Sequence, residues 1–192
     1  LAEFSKKVFQ SGFVWRVVEQ KWEGFESLFW GFNIDKLLLM PDDMLERKAR
    51  DPSIIRNFRK VQSIRDNAMM ISDVQRKTGK AFSHFVANWP SDDITGLWRY
   101  LKTKGTRLGG NTGPFALRAL GVDTFLFTRD VEHYLRQQEI IDSGLWTQRA
   151  LRSSQEYFNT LREQSGRSLT ELSQLVALST GQNRVGETRV TS

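Results

Sequence analysis

Cysteine is absent from all 192 residues. That excludes disulfides, thiolate catalysis and cysteine-ligated zinc or iron–sulfur centres. Histidine is nearly absent: His84 and His133 stand far apart, which argues against a histidine-rich metal site. No stretch approaches the ~18 consecutive apolar residues that a membrane helix requires, so no membrane span is expected. Acidic residues are outnumbered, 22 against 28 Lys and Arg, for a net charge of +6 and a pI near 9.8. A basic balance raises phosphate-bearing partners among the possible ligands without identifying one. What remains is an ordinary globular composition, 39% hydrophobic and 11% aromatic, long enough for one large domain with a sizeable core.

The periodicity is helical almost throughout, and the fold class read from it is all-α. Phe4, Val8, Val14, Val17 and Val18 follow near-helical spacing from the first residues. Helical pattern is already running at Leu1 with no capping residue ahead of it, so the sequence reads as the ordered part of a longer chain. Residues 22–32, densely aromatic, read as core. Pro41-Asp42-Asp43 opens a short helix with Met44 and Leu45. Asp51-Pro52 is a second start signal, ahead of a long helix from about Ile54 to Thr78 that Gly79 ends. Ser91-Asp92-Asp93 caps a helix holding Ile94, Leu97, Trp98 and Leu101. Helix resumes at Pro114, and Val122–Phe127 is an extended or irregular connector. Pattern returns near Asp130, then over about 147–164 and 168–179, where Ser168 and Glu171 have capping-box spacing. The expected organisation is one helical domain over 1–179 and a polar tail at 180–192.

The segment from Arg99 to Val131 carries the most chemistry. Arg99, Lys102, Lys104 and Arg107 place four positive charges in nine residues with no acid among them. A glycine-rich hairpin spanning 105–114 follows, with Gly109, Gly110, Asn111, Thr112 and Gly113 at its centre. A glycine hairpin between helices lets backbone N–H groups approach a phosphate, the next helix adds its positive dipole end, and nearby cations attract the backbone without regard to sequence. This looks like a helix-hairpin-helix DNA-binding element. An ordinary interhelical turn with a solvated basic face fits the same residues.

What flanks the hairpin carries a family resemblance. Ala116-Leu117-Arg118-Ala119-Leu120-Gly121, then VDTFLFTRDV, resembles the helix-hairpin-helix DNA glycosylase superfamily. There a hairpin is followed by a helix, a connector and an aspartate at the next helix start, the place of Asp130 here, with Asp123 a weaker candidate. Nearer the start, VFQSGFVWRVVEQKWEGFESLFWGFN resembles the DNA-3-methyladenine glycosylase I family, with Gln10, Gly12 and Trp15 in matching spacing and Trp22, Phe25 and Phe29 continuing it. IIRNFRKVQSIRDNA matches a second segment of that family through Arg56, Lys60, Gln62, Asn67 and Ala68, and KGTRLGGNTGPFALRALG matches a third. The three matches are collinear over about residues 3–135.

The resemblance implies a helix-hairpin-helix glycosylase-like helical bundle. It also implies a DNA repair enzyme that flips an alkylated base, 3-methyladenine, out of double-stranded DNA and hydrolyses its N-glycosidic bond, the first step of base excision repair. Asp130 would stabilise positive charge on the sugar, or only cap its helix. Trp15, Gln10 and Phe13 would form the base pocket, although Trp15 amid Phe13, Val14 and Val17 also reads as core, and Gln10 as a cap on a buried backbone group. Lys102, Lys104, Arg107, Gly109, Gly110, Asn111, Thr112 and Gly113 would hold DNA, with Arg56, Arg59 and Lys60 either reaching phosphate or decorating a helix surface. The superfamily's lyase lysine would fall near Pro114 or Phe115, where there is none, so a monofunctional enzyme is expected. A cytoplasmic monomer without a cofactor is the accompanying expectation.

Two departures from the family stand out. Its structural zinc uses cysteine and histidine near the chain ends, so no metal is carried over to a chain without cysteine. Its base pocket uses a glutamate eight residues before the tryptophan matched to Trp15, and Lys7 stands there, with Glu3 one turn earlier. A non-catalytic helix-hairpin-helix DNA-binding module is therefore the alternative. A helical protein-interaction scaffold comes third.

Overall fold

In the computed structural model, which describes residues 1–180, the helical pattern that opens the sequence breaks in two. α1 (Ala2–Gln10) stops at a turn around Gly12, whose φ of +68° is left-handed, and α2 (Trp15–Gln20) starts beyond it. Glycine enters that conformation without Cβ strain and so ends a right-handed helix cheaply. α3 (Trp22–Leu28), a 3-10 turn (Trp30–Phe32), α4 (Ile34–Leu38) and α5 (Asp42–Ala49) follow. The aromatic run is core, as its density suggests: Phe25, Phe29 and Phe32 are buried, and Trp22 stacks on Phe25 and Phe32 with centroids 5.3 Å apart in each pair. Phe9 joins the cluster at 4.4 Å from Phe25, which pins the last turn of α1.

The long helix is α6 (Phe58–Thr78), ended by Gly79 in the left-handed region at φ +68°. It starts four residues later than the Asp51-Pro52 signal suggests. The Asp51 carboxylate instead closes a local turn, accepting the Ser53 N–H at 2.8 Å and the Ser53 hydroxyl at 2.6 Å. Those two bonds hold its pKa below the usual carboxylate value. Ile54 and Ile55 then enter the core on a non-helical segment, and Asn57 is the true cap, accepting the Lys60 N–H at 3.1 Å. A carboxylate that can serve either a turn or a helix start serves whichever lets the following apolar residues reach the core. α7 (Phe82–Ala87), which the sequence pattern does not separate, precedes α8 (Ile94–Lys104) and α9 (Thr112–Ala119). His84 is exposed beside Asn88.

Where the sequence reads as one domain, the chain packs as two compact units. One comprises Leu1–Trp89 and Gly96–Leu120, the other Pro90–Thr95 and, among the described residues, those from 121 to 180. In the first, α1 packs against α6 and α9, and α4 and α5 lie on α6. Its core centres on Phe9, Phe25, Phe29, Leu37, Leu45, Ile54, Val61 and Ile64.

In the second unit, the non-helical connector 122–128 buries Phe125, Leu126 and Phe127, and Phe125 stacks on Phe158 at 4.3 Å. α10 (Arg129–Gln137), α11 (Gln148–Ser165) and α12 (Leu169–Leu178) surround it. The capping box at Ser168 and Glu171 is present, and Asp123 adds to it by accepting the N–H groups of Leu169 at 3.0 Å and Thr170 at 2.8 Å. Asp123 is thus a helix cap by its contacts. Of the tail expected at 180–192, only Thr180 falls among the described residues.

Ser168→Ala should lower stability by about 1 kcal/mol, read as a drop in Tm. Its bonds to Ser168 hold the Glu171 pKa below the usual value. A depressed carboxylate stabilises above its unfolded pKa and loses that contribution as pH falls through its folded one. The variant should therefore also lose part of the acid-side decline in stability.

Candidate nucleic-acid interface and base site

The hairpin joins α8 to α9 through residues 105–111, and its shape follows from close approaches that only glycine permits. A Cβ on Gly105 would meet the Leu101 carbonyl oxygen at 2.7 Å, and one on Gly113 would meet the Leu108 carbonyl oxygen at 2.6 Å. Gly113 is buried in the first turn of α9, and its N–H bonds Leu108 O at 3.2 Å. Of the predicted DNA ligands, Gly113 is accordingly a packing residue. The Thr112 N–H is likewise engaged, with Gly109 O at 3.3 Å. Gly110 is left-handed at φ +58°, and so is Arg107 at +62°, an uncommon conformation for a side-chain-bearing residue.

A residue outside the hairpin holds it. Asn67 on α6 is fully buried; its carboxamide oxygen accepts the Thr106 N–H at 2.8 Å and its amide nitrogen donates to Thr106 O at 3.1 Å. Both polar groups of one hairpin residue are thus satisfied by one side chain, 39 positions earlier. The sequence contained Asn67 in a matched segment but carried no sign of its partner.

The cations stand around this frame. Lys102 and Lys104 are exposed at the end of α8, the Lys102 stem lying over Gly109, where a Cβ would come within 3.2 Å of its Cγ. Arg107 is exposed on the hairpin itself. Lys60, at the start of α6, turns inward: its ammonium donates to the carbonyls of Phe9 at 3.2 Å and Ser11 at 2.7 Å, closing the C-terminus of α1. Burial, and then the Arg107 charge, hold the Lys60 pKa below its ordinary value. A cavity of about 300 Å³ opens here, lined by Val8, Ser11, Lys60, Arg107, Gly109 and Thr112. Arg56 and Arg59 are exposed, the latter on the first turn of α6.

The turn after α1 presents Phe13, Val14 and Trp15 to solvent, 44%, 65% and 51% exposed. These three are not core, in contrast to Val8 and Val18 on either side. Trp15 meets Phe115 of α9 edge-to-face at 6.2 Å, which places the exposed indole beside the hairpin's helix. Over its ring, 5.2 Å from the centroid, lies the ammonium of Lys7. Lys7 also donates to Gln10 Oε1 at 3.0 Å and pairs with Glu3 at 3.4 Å. Gln10 is buried, and its amide nitrogen donates to Glu19 at 2.9 Å, so both ends of the carboxamide are occupied. It acts on the surface around Trp15 by holding Lys7 there.

Comparison with known proteins gives the family. The methyladenine glycosylase family model matches residues 4–107, more than half of the chain. The chain belongs to the methyladenine glycosylase family. That makes it a DNA glycosylase by family, with DNA as its substrate. Among solved structures, a point mutant of 3-methyladenine DNA glycosylase I from Staphylococcus aureus is 21% identical, covers 60% of this chain and 72% of its own, and has a TM-score of 0.53. Another point mutant of a 3-methyladenine DNA glycosylase I, in complex with 3-methyladenine, has the same identity and coverage and a TM-score of 0.52. A further Staphylococcus aureus structure, on 3-methyladenine recognition, is 23% identical over 60% of this chain and 70% of its own, with a TM-score of 0.51. At these identities the likeness is one of fold. No curated protein sequence matches the chain.

The chain has no cysteine, and among the described residues no cluster of three His, Asp or Glu could hold a metal ion. Asp130 lies in the second unit, half-buried, second in α10. It is not that helix's cap: the Thr128 hydroxyl accepts the Val131 N–H at 3.2 Å.

Asn67→Ala leaves the part-buried backbone N–H and carbonyl of Thr106 without their side-chain partner. It should cost about 1–3 kcal/mol in stability, read by denaturant unfolding. Affinity for any DNA duplex should fall with it, because the hairpin loses a side-chain tie that engages both backbone groups of Thr106. A destabilised variant that still binds DNA at full affinity would separate the clamp from the interface.

Proposed function

We propose that this family member excises an alkylated purine, 3-methyladenine first among them, from double-stranded DNA by hydrolysis of the N-glycosidic bond. The observation that carries this reading is the half-exposed indole of Trp15, which meets Phe115 of the hairpin helix edge-to-face. A flipped base needs a flat apolar face, and a large exposed tryptophan next to a cationic phosphate-binding rim supplies it. In this reading Lys102, Lys104 and Arg107 draw in the backbone, the hairpin sets the register, and the lesion stacks on Trp15 with Phe13 alongside. A cationic alkylated base already has a weakened glycosidic bond, so stacking and shape can contribute much of the selectivity. The N-terminus of α9 offers Pro114 and Phe115 and no amine, in keeping with base release without strand cleavage.

One observation favours a second reading. Lys7 stands on the indole where a base would stack, as it would if the chain bound DNA without removing bases. Incubation with methylated duplex DNA decides between them. Free 3-methyladenine accompanied by intact abasic strands supports the enzyme, whereas duplex binding with no base released supports the binding module.

Trp15→Ala should abolish most base release and leave the fold and undamaged-duplex affinity nearly unchanged, since half of the side chain is already in water. Replacing Lys102, Lys104 and Arg107 together should weaken all duplexes alike. It should also reduce the salt slope by roughly 0.9 for each phosphate that the protein ceases to neutralise. Asp130→Asn leaves the Thr128 cap in place, so Tm should hold. If the Asp130 charge stabilises the sugar cation, single-turnover excision should drop about 10-fold or more, equivalent to ~1.4 kcal/mol of barrier. Full activity would remove Asp130 from the chemistry.

A further inference from the structure

A second cavity, of about 590 Å³, opens where α5 ends and α6 begins, lined by Glu46, Ala49, Arg50, Arg56 and Phe58. It shares no residue with the hairpin or with the turn that carries Trp15. The local chain accounts for its walls. Glu46 and Arg50 stand four positions apart at the end of α5 and so lie on one face of it, with the buried Ala49 beside them. Asp51 then closes its turn with Ser53, Ile54 and Ile55 enter the core, and Asn57 caps α6. The backbone of Arg56 is thereby set between a buried residue and a helix cap, and Phe58 is the first residue of the helix.

The groups that face this cavity are unengaged. Phe58 is 46% exposed, and among the described residues its ring meets no other ring. Arg50 and Arg56 are exposed, and among the described residues neither guanidinium has a hydrogen bond or an ion pair. Arg47 and Arg65, in contrast, pair with Asp43 and Asp42. The Glu46 carboxylate is as free as the two arginines.

Two cations against one carboxylate leave a single positive charge in excess, which in water holds a bare anion only weakly. An open aromatic ring gains more, by taking a flat base on its face. Guanidinium forks match the oxygens of a phosphate. An ionised carboxylate only accepts hydrogen bonds, so it suits an exocyclic amino group and opposes a carbonyl. A flat ring, a phosphate and an amino group occur together in a nucleotide, and the volume lies in the range of small-ligand sites, roughly 300–1,000 Å³. In a duplex the base faces are stacked and the amino groups paired, so an unpaired nucleotide is what presents all three. The net charge of +6 and the DNA substrate of the family favour a strand over a free nucleotide as its source.

We propose that the cavity between α5 and α6 binds one unpaired nucleotide of single-stranded DNA, its base on Phe58, its phosphate between Arg50 and Arg56, and an amino group of the base toward Glu46. The site rests on neither Trp15 nor base excision.

The probe is a short fluorescent strand of tetrahydrofuran spacers carrying one central base, and its affinity for the full chain is read by anisotropy. A central adenine or cytosine should bind about 10-fold tighter than a strand with no base, and thymine should gain less. Phe58→Ala should remove that gain, and Phe58→Tyr, which keeps the ring, should retain it. Arg50→Gln combined with Arg56→Gln should flatten the salt slope by about 0.7 for each phosphate lost. Glu46→Gln, which can donate as well as accept, should bring thymine level with adenine. Trp15→Ala and the combined Lys102, Lys104 and Arg107 variant should leave the gain from the central base in place. A gain that survives Phe58→Ala and disappears in Trp15→Ala would overturn the proposal, as would a salt slope untouched by the paired arginine variant. Free dAMP binding as tightly as the adenine strand would make a mononucleotide the occupant and overturn the strand.

Discussion

The arrangement on which the rest depends is the double hydrogen bond from the buried Asn67 carboxamide to the backbone of Thr106. A glycine-rich loop has many accessible conformations, and its closure entropy has to be offset by contacts that specify one of them. One side chain in the middle of the longest helix does so by satisfying both the donor and the acceptor of a single loop residue. Gly105 and Gly113 then allow the loop to press against the Leu101 and Leu108 carbonyls, and Arg107 and Gly110 take up left-handed backbone between them. The shape of the hairpin is thus set from inside the first unit, and its outer surface is left to the cations.

A second constraint operates at the end of α1. The carbonyls of Phe9 and Ser11 would face solvent at a helix terminus; the Lys60 ammonium takes up that position and is partly buried for it. Phe9 meanwhile is locked against Phe25. With the terminus tied by one lysine and one aromatic pair, the chain has to turn at Gly12, and Phe13, Val14 and Trp15 are left outside. Three consecutive exposed apolar residues have an energetic cost, since each forgoes burial of its apolar surface. That cost is intelligible if the surface is covered when a base stacks there.

The sequence is legible where the signal is local. The capping box at Ser168, the Gly79 stop, the irregular 122–128 connector and the buried aromatic run 22–32 all follow from spacing of a few residues. It is less legible where one residue has two local uses. Asp51 could cap a helix or close a turn and does the latter; Trp15 could be core or surface and is surface. Asp130 could cap its helix, and Thr128 does so instead. Asp123, considered for chemistry, is engaged with the first amides of a helix 46 and 47 positions later.

Helical class, hairpin position and family were therefore determined by the sequence itself, because periodicity, glycine placement and collinear motifs are properties of neighbouring residues. Only the tertiary structure decided that Asn67 clamps the hairpin, that Lys60 closes α1 and that the Lys7 ammonium sits over Trp15. The first two join positions 39 to 51 residues apart, and the third joins two helices across a turn whose direction is set by the Lys60 and Phe9 contacts. Hydrogen bonds and cation–π contacts of this kind act over a few ångströms between groups that the chain sequence leaves far apart or free to diverge. No spacing rule encodes them until the core has brought the helices together.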